Sequence, residues 1–132
     1  MKTTFFDRQD TDNPLNGKTI NSVSELQEVL TSDRDRLPFF AELIGENGFR
    51  LLLGLGSREG CVQFSSIDGS PPYLMVVSPD ESNSEGDLEF MIGGTVSPVP
   101  RRLCVPYETV EKTAAEFVQT GQRGLDIQWK EV

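Results

Sequence analysis

The segment Ser78–Phe90, SPDESNSEGDLEF, gathers five carboxylates (Asp80, Glu81, Glu85, Asp87 and Glu89) and contains no Lys or Arg. Carboxylates so spaced suit three kinds of chemistry. They can cage a hard cation through oxygen ligands, act as a general acid and base, or turn a negative field toward a positive partner. For the first, Glu81, Asn83, Glu85 and Gly86 occupy relative positions one, three, five and six of a calcium-loop pattern. The twelfth position, which should supply the bidentate ligand, is Ile92, and no flanking helices are predicted. Asp80 and Asp87 add oxygens without completing a cage, so neither a metal site nor a cofactor is expected. For the second, the chain has no histidine. That removes Ser-His and Cys-His nucleophile pairs, the usual zinc ligands and the commonest general base. The chain therefore reads as a protein that is not an enzyme. A small carboxylate-based metal-binding domain or enzyme using residues 80–87 stands as the alternative.

The third kind of chemistry agrees with the charge of the whole chain. Twelve basic and 21 acidic residues give a formal charge of −9. The charge is unevenly placed: from Glu59 to Pro100 there are seven acids and no base, while residues 1–58 carry −2 and residues 101–132 carry zero. Direct nucleic-acid binding is excluded, because phosphate contacts need clustered Lys and Arg. An acidic surface can serve solubility alone, or can speed encounter with a basic partner.

Other motifs read as structural. GLGSREG (residues 54–60) mimics a dinucleotide loop, but its spacing is G-x-G-x-x-x-G and a strand follows where a helix is required, so it reads as a glycine-rich hairpin turn. Phe64, Phe90, Phe117 and Trp129 read as core, and Gly93-Gly94 as a bulge or close backbone approach at a strand end. Cys61 and Cys104 sit in apolar runs and read as buried thiols in a reducing cytoplasm. Met1-Lys2 is followed by no apolar leader segment, no run is long enough to span a bilayer, and no N-x-[ST] sequon occurs.

These residues must be positioned by the flanking elements. In NSVSELQEVLTS, Ser22 and Glu25 form a capping box, and Val23, Leu26, Val29 and Leu30 share one helical face. Strands are predicted over residues 37–45, 49–56, 61–66, 73–78, 88–94 and 101–105, with Asn47-Gly48 as a tight turn. In PYETVEKTAAEFVQTG, Tyr107, Val110, Ala114, Phe117 and Val118 make an apolar stripe between Pro106 and Gly121. LDIQWKEV then alternates as a half-buried last strand. The expected fold is α+β: a twisted, mainly antiparallel sheet of about six to seven strands with two helices packed on it. Residues 1–18 read as an N-terminal arm, containing Pro14, the turn Asn16-Gly17 and an edge strand around Thr3–Phe6. Residues 19–132 read as one domain.

The segment IGGTVSPVPRRLCVPYETVEKTAAEFVQTGQRGLDIQW resembles the bacterial immunity proteins of the first-numbered Imm family. The resemblance rests on Gly93-Gly94 after a strand, Leu103–Val105, the helix with Ala114 and Phe117, Thr120-Gly121, Trp129 and Glu131. It departs at Pro106, in place of a small polar cap, and at Gly124, where the family often has proline. The resemblance implies a cytoplasmic protein, monomeric before binding, that blocks a cognate toxin, notably one with a nucleic-acid deaminase domain, by occluding its active site. The toxin's basic cleft would be met by Asp68, Tyr73, Asp80, Glu81, Asn83, Glu85 and Asp87, residues chosen for charge and not from the family. No nucleic acid or membrane partner is implied.

Overall fold

A computed structural model describes residues 2–32, 38–78, 85–124 and 126–132. Helix α1 spans Val23–Ser32. Its start follows from two reciprocal bonds: the Ser22 hydroxyl accepts from the Glu25 amide at 3.2 Å, and the Glu25 carboxylate accepts from the Asn21 amide at 3.3 Å. Leu26, Val29 and Leu30 are buried from it. Helix α2 spans Tyr107–Thr120 and buries Tyr107, Val110, Thr113, Ala114, Phe117 and Val118. Gly121 ends it at φ 73°, a left-handed conformation that glycine adopts without a Cβ penalty, and its amide donates to the Phe117 carbonyl at 2.7 Å.

The strands are β1 (Thr3–Asp7), β2 (Lys18–Ile20), β3 (Phe39–Gly45), β4 (Phe49–Leu55), β5 (Glu59–Ser66), β6 (Leu74–Val76), β7 (Asp87–Ile92), β8 (Thr95–Pro100), β9 (Val105–Pro106) and β10 (Trp129–Glu131). Their main order is β10-β6-β5-β4-β3-β1-β2, antiparallel throughout. Strand β7 joins β3 in parallel at Phe39 and Met91 and forms a hairpin with β8, while β9 pairs with the start of β5. The α+β expectation with two helices holds, but the ten strands among the described residues exceed the six to seven expected.

The extra strands have physical reasons. Pro98 and Pro100 hid β8; prolines fit there because, among the described residues, β8 pairs with β7 alone and needs donors on one side only. The strand expected over residues 101–105 is a 3-10 turn, Arg101–Leu103, followed by the two residues of β9. Segment Thr3–Asp7 is not at an edge: it runs between β2 and β3, with Phe5 fully buried. Gly93-Gly94 is not a bulge, but its backbone does approach another segment: the Gly93 amide donates to the Arg8 carbonyl at 2.7 Å. The pair is the two-residue turn between Ile92 and Thr95, and nothing lies within 4 Å of a Cβ built on either glycine.

Two cores flank the sheet. The helix side holds Phe5, Ile20, Phe39, Leu43, Leu51, Leu53, Val62, Phe64, Val76 and the buried residues of both helices. On the other side Phe40, Cys61, Met75, Val77, Phe90, Leu103 and Cys104 pack together. The central strands are thus covered twice, by the helices and by the β7–β8 hairpin, which explains their continuous apolar runs. GLGSREG is the β4–β5 hairpin turn, as its spacing indicates. Gly60 is fixed there by crowding, because a Cβ would run into the Gly54 carbonyl and approach Val110 to 3.0 Å. No helix among the described residues is long and apolar enough to cross a membrane.

Candidate partner-binding surface

Of the seven residues chosen from sequence, Asp80, Glu81 and Asn83 lie outside the described residues. Asp68 and Tyr73 share the loop between β5 and β6. The exposed Asp68 carboxylate accepts from the Ser70 amide at 2.9 Å. Hydrogen bonds from the Ser70 side chain first, then from its amide and the Ser66 hydroxyl, hold that carboxyl below its usual range. The half-buried Tyr73 donates its hydroxyl to the Gly69 carbonyl. Glu85 and Asp87 are exposed at the start of β7, with Glu89 following two residues on.

Tyr73 immediately precedes β6, whereas residues 85–87 come after the connection that leaves its far end. The described acids therefore form two groups at opposite ends of β6. Glu85, Asp87 and Glu89 make no ion pair among the described residues. Glu59, by contrast, is met by Arg101 at 3.1 Å, so part of the middle segment's charge is answered by the base just beyond it.

The Glu42 cluster escaped the sequence reading, and so did the open side of an aromatic group whose Phe64, Phe117 and Trp129 it had read only as core. The first lies on the sheet face turned away from the helices. Across β1, β3, β4 and β5 the neighbours Phe6, Glu42, Leu52 and Gln63 form one row, and Thr4, Ile44, Arg50 and Ser65 the next. The Glu42 side chain is only 3% exposed, yet Arg8 and Arg50 beside it are 41% and 31% exposed. Glu42 Oε1 accepts from Arg8 Nε at 3.1 Å and from Arg8 Nη2; Oε2 accepts from Arg50 Nη1 at 2.8 Å. Arg50 Nε donates to the Ser65 hydroxyl at 3.1 Å, and the Arg8 guanidinium lies 5.1 Å from the Phe6 ring centre. The signal in the sequence was a lone carboxylate within FFAELIG, but its partners lie 34 and 8 residues away along the chain.

The second feature is an aromatic group beyond the end of α2. Phe64 stacks with Phe49 at 5.0 Å and meets Phe117 and Trp129 edge-on at 6.2 Å. The Arg123 guanidinium covers both the Phe64 and Trp129 rings. The Trp129 indole donates to the Gly124 carbonyl at 3.2 Å. An open hollow of about 750 Å³ adjoins it, bounded by Glu116, Arg123, Asp126 and Trp129. Phe64 and Phe117 are core as expected, Trp129 is half-buried, and Phe90 belongs to the opposite core.

Burial, reinforced by neighbouring Cys104, pushes the Cys61 thiol far up. Burial, with Glu59 adding, pushes Cys104 up to about 12. Neither thiol supplies a thiolate at neutral pH. Among the described residues no three acidic or thiol side chains converge as a metal site would need.

No curated protein matches the chain. The sequence model of the immunity protein family Imm1 matches residues 12–131. That match runs from the turn after β1 to the end of β10 and takes in both cores except Phe5, the Glu42 cluster's β3–β4 half and the acidic start of β7, and on that coverage the chain belongs to the Imm1 family of immunity proteins.

Proposed function

We propose that this immunity protein acts in the cytoplasm against a toxin of the nucleic-acid deaminase type, and that it does so by covering the toxin's active-site cleft without catalysing any reaction. A cleft that holds a phosphate backbone and an extruded base is positively charged. Exposed carboxylates are its natural counterpart, and opposite fields hasten capture. The observation that carries the reading is the exposed acidic start of β7, where Glu85, Asp87 and Glu89 stand without a cation among the described residues. Asp80, Glu81 and Asn83 immediately precede this segment in sequence and join it in the proposed contact, with Asp68 and Tyr73 as a second point at the other end of β6. The free protein is a monomer that pairs one-to-one with the toxin, with no metal or cofactor in the complex.

The test uses the toxin domain encoded beside this protein and a fluorescent single-stranded oligonucleotide as probe. The toxin alone binds the oligonucleotide, and the preformed complex with the immunity protein does not. Oligonucleotide binding by the intact complex with unchanged affinity would rule out occlusion.

A further inference from the structure

The uncovered part of the sheet carries charge of the opposite sign to the rest of the molecule. Glu42 is a nearly fully buried carboxylate held between Arg8 and Arg50, giving a local charge of +1 on a chain of −9. Such a cluster is a poor device for stability, since apolar residues of similar volume in place of buried ion pairs are often neutral or stabilising. It is an effective device for geometry. A guanidinium has five N–H donors in a rigid fork. Arg8 spends Nε and one Nη2 hydrogen on Glu42; Arg50 spends one Nη1 hydrogen on Glu42 and Nε on Ser65. The remaining donors of both belong to side chains that are 41% and 31% exposed.

We propose that Arg8 and Arg50 together receive one acidic side chain of the toxin, with Glu42 as the residue that positions both guanidiniums. The inference rests on the reading of this chain as a toxin-binding protein. A protein carboxylate fits because the surround is that of a protein interface: Phe6, Ile44 and Leu52 are half-buried around the cluster, apolar surface that excludes water from a charge-assisted bond. The arginine pair also supplies specificity. A basic cleft of the wrong toxin satisfies the acids of the β7 segment but leaves the two guanidiniums desolvated and unmatched, which weakens the wrong complex.

Removing one arginine alone leaves one oxygen of the buried Glu42 carboxylate without its cation, so the decisive variant replaces the whole cluster, R8M/E42L/R50M. Its melting temperature and its dissociation rate from the adjacent-gene toxin domain are measured beside those of the native chain. A second variant, R8K/R50K, keeps the charge and loses the fork. The expected result is native-like melting for the cluster variant with dissociation faster by about tenfold or more, and an intermediate rate for R8K/R50K. A carboxylate on the toxin whose removal speeds dissociation from the native chain, and adds nothing on the cluster variant, identifies the occupant. Dissociation within about twofold of native for a normally melting cluster variant overturns the proposal. An amide variant of the acids at 80–87, measured in parallel, reports on the acidic contact through its association rate, so either contact can fail while the other stands.

Discussion

Asn47, in the turn between β3 and β4, donates its side-chain amide to the carbonyl of Gly121 at 2.8 Å, joining that hairpin to the residue that closes α2. Its side-chain oxygen also accepts from the Phe49 amide at 3.3 Å, so one side chain sets a turn and satisfies a helix end. Asn47→Ala is expected to cost about 1 kcal/mol in urea unfolding, the typical worth of such a bond. Asn47→Asp keeps the turn bond and loses the donor to Gly121, and should fall between.

Gly60→Ala is expected to destabilise more strongly, by about 2–3 kcal/mol, because backbone and not a flexible side chain fills the space: the added methyl meets the Gly54 carbonyl and the Val110 side chain on α2. Val110→Ala together with Gly60→Ala should recover little, since the Gly54 carbonyl remains in the way.

Trp129→Phe removes the indole donor to Gly124 while keeping a ring against Phe64 and beneath Arg123. The expected loss is about 1 kcal/mol. Trp129→Ala also opens the edge of the main core and should cost about 3 kcal/mol. Thermal unfolding of the two variants separates hydrogen bond from packing.

The buried thiols give a pH dependence of defined sign. Both are raised in the folded protein, Cys104 to about 12 and Cys61 further, so they stay protonated while unfolded cysteines ionise near the ordinary thiol range. Their contribution to stability is complete below about pH 8.5 and is lost as pH rises toward 12. Unfolding free energy should therefore fall above about pH 9, and fall less steeply in Cys61→Ala/Cys104→Ala. In native protein at neutral pH iodoacetamide should leave both cysteines unmodified, and in urea it should label both.

Neutralising Asp80, Glu81, Glu85 and Asp87 to their amides should leave melting nearly unchanged, the exposed Glu85 and Asp87 contributing within about 0.5 kcal/mol. Association with the toxin should slow by about tenfold at low ionic strength, and its salt dependence should flatten. Stopped-flow mixing at two salt concentrations reads both effects. Unchanged rates would remove the acidic segment from the encounter.

What was legible in the sequence was what local rules decide. Ser22 and Glu25 marked α1, the stripe from Tyr107 to Val118 marked α2 with Gly121 at its end, and Asn47-Gly48 marked the first hairpin. What escaped depends on distant parts of the chain. Strand β8 contains two prolines and becomes a strand because β7 lies on one side of it and, among the described residues, nothing pairs on the other. Strand β1 is interior because β2 folds back outside it. Of the acids chosen for the contact, the described ones divide between the two ends of β6, Asp68 at one and Glu85 with Asp87 at the other, a separation that linear spacing conceals. Glu42 looked like an ordinary strand polar residue, since nothing local links Arg8 to it across 34 positions.

Strand β10 also governs the edge of the sheet. Trp129–Glu131 pairs with β6, and the Val132 amide donates to the Tyr73 carbonyl at 2.9 Å, so this strand ties down the loop that carries Asp68 and Tyr73 and sets the Trp129 ring against Phe64. Peeled away, it would leave the three residues of β6 with one row of backbone groups unpaired, the template on which a foreign strand can add.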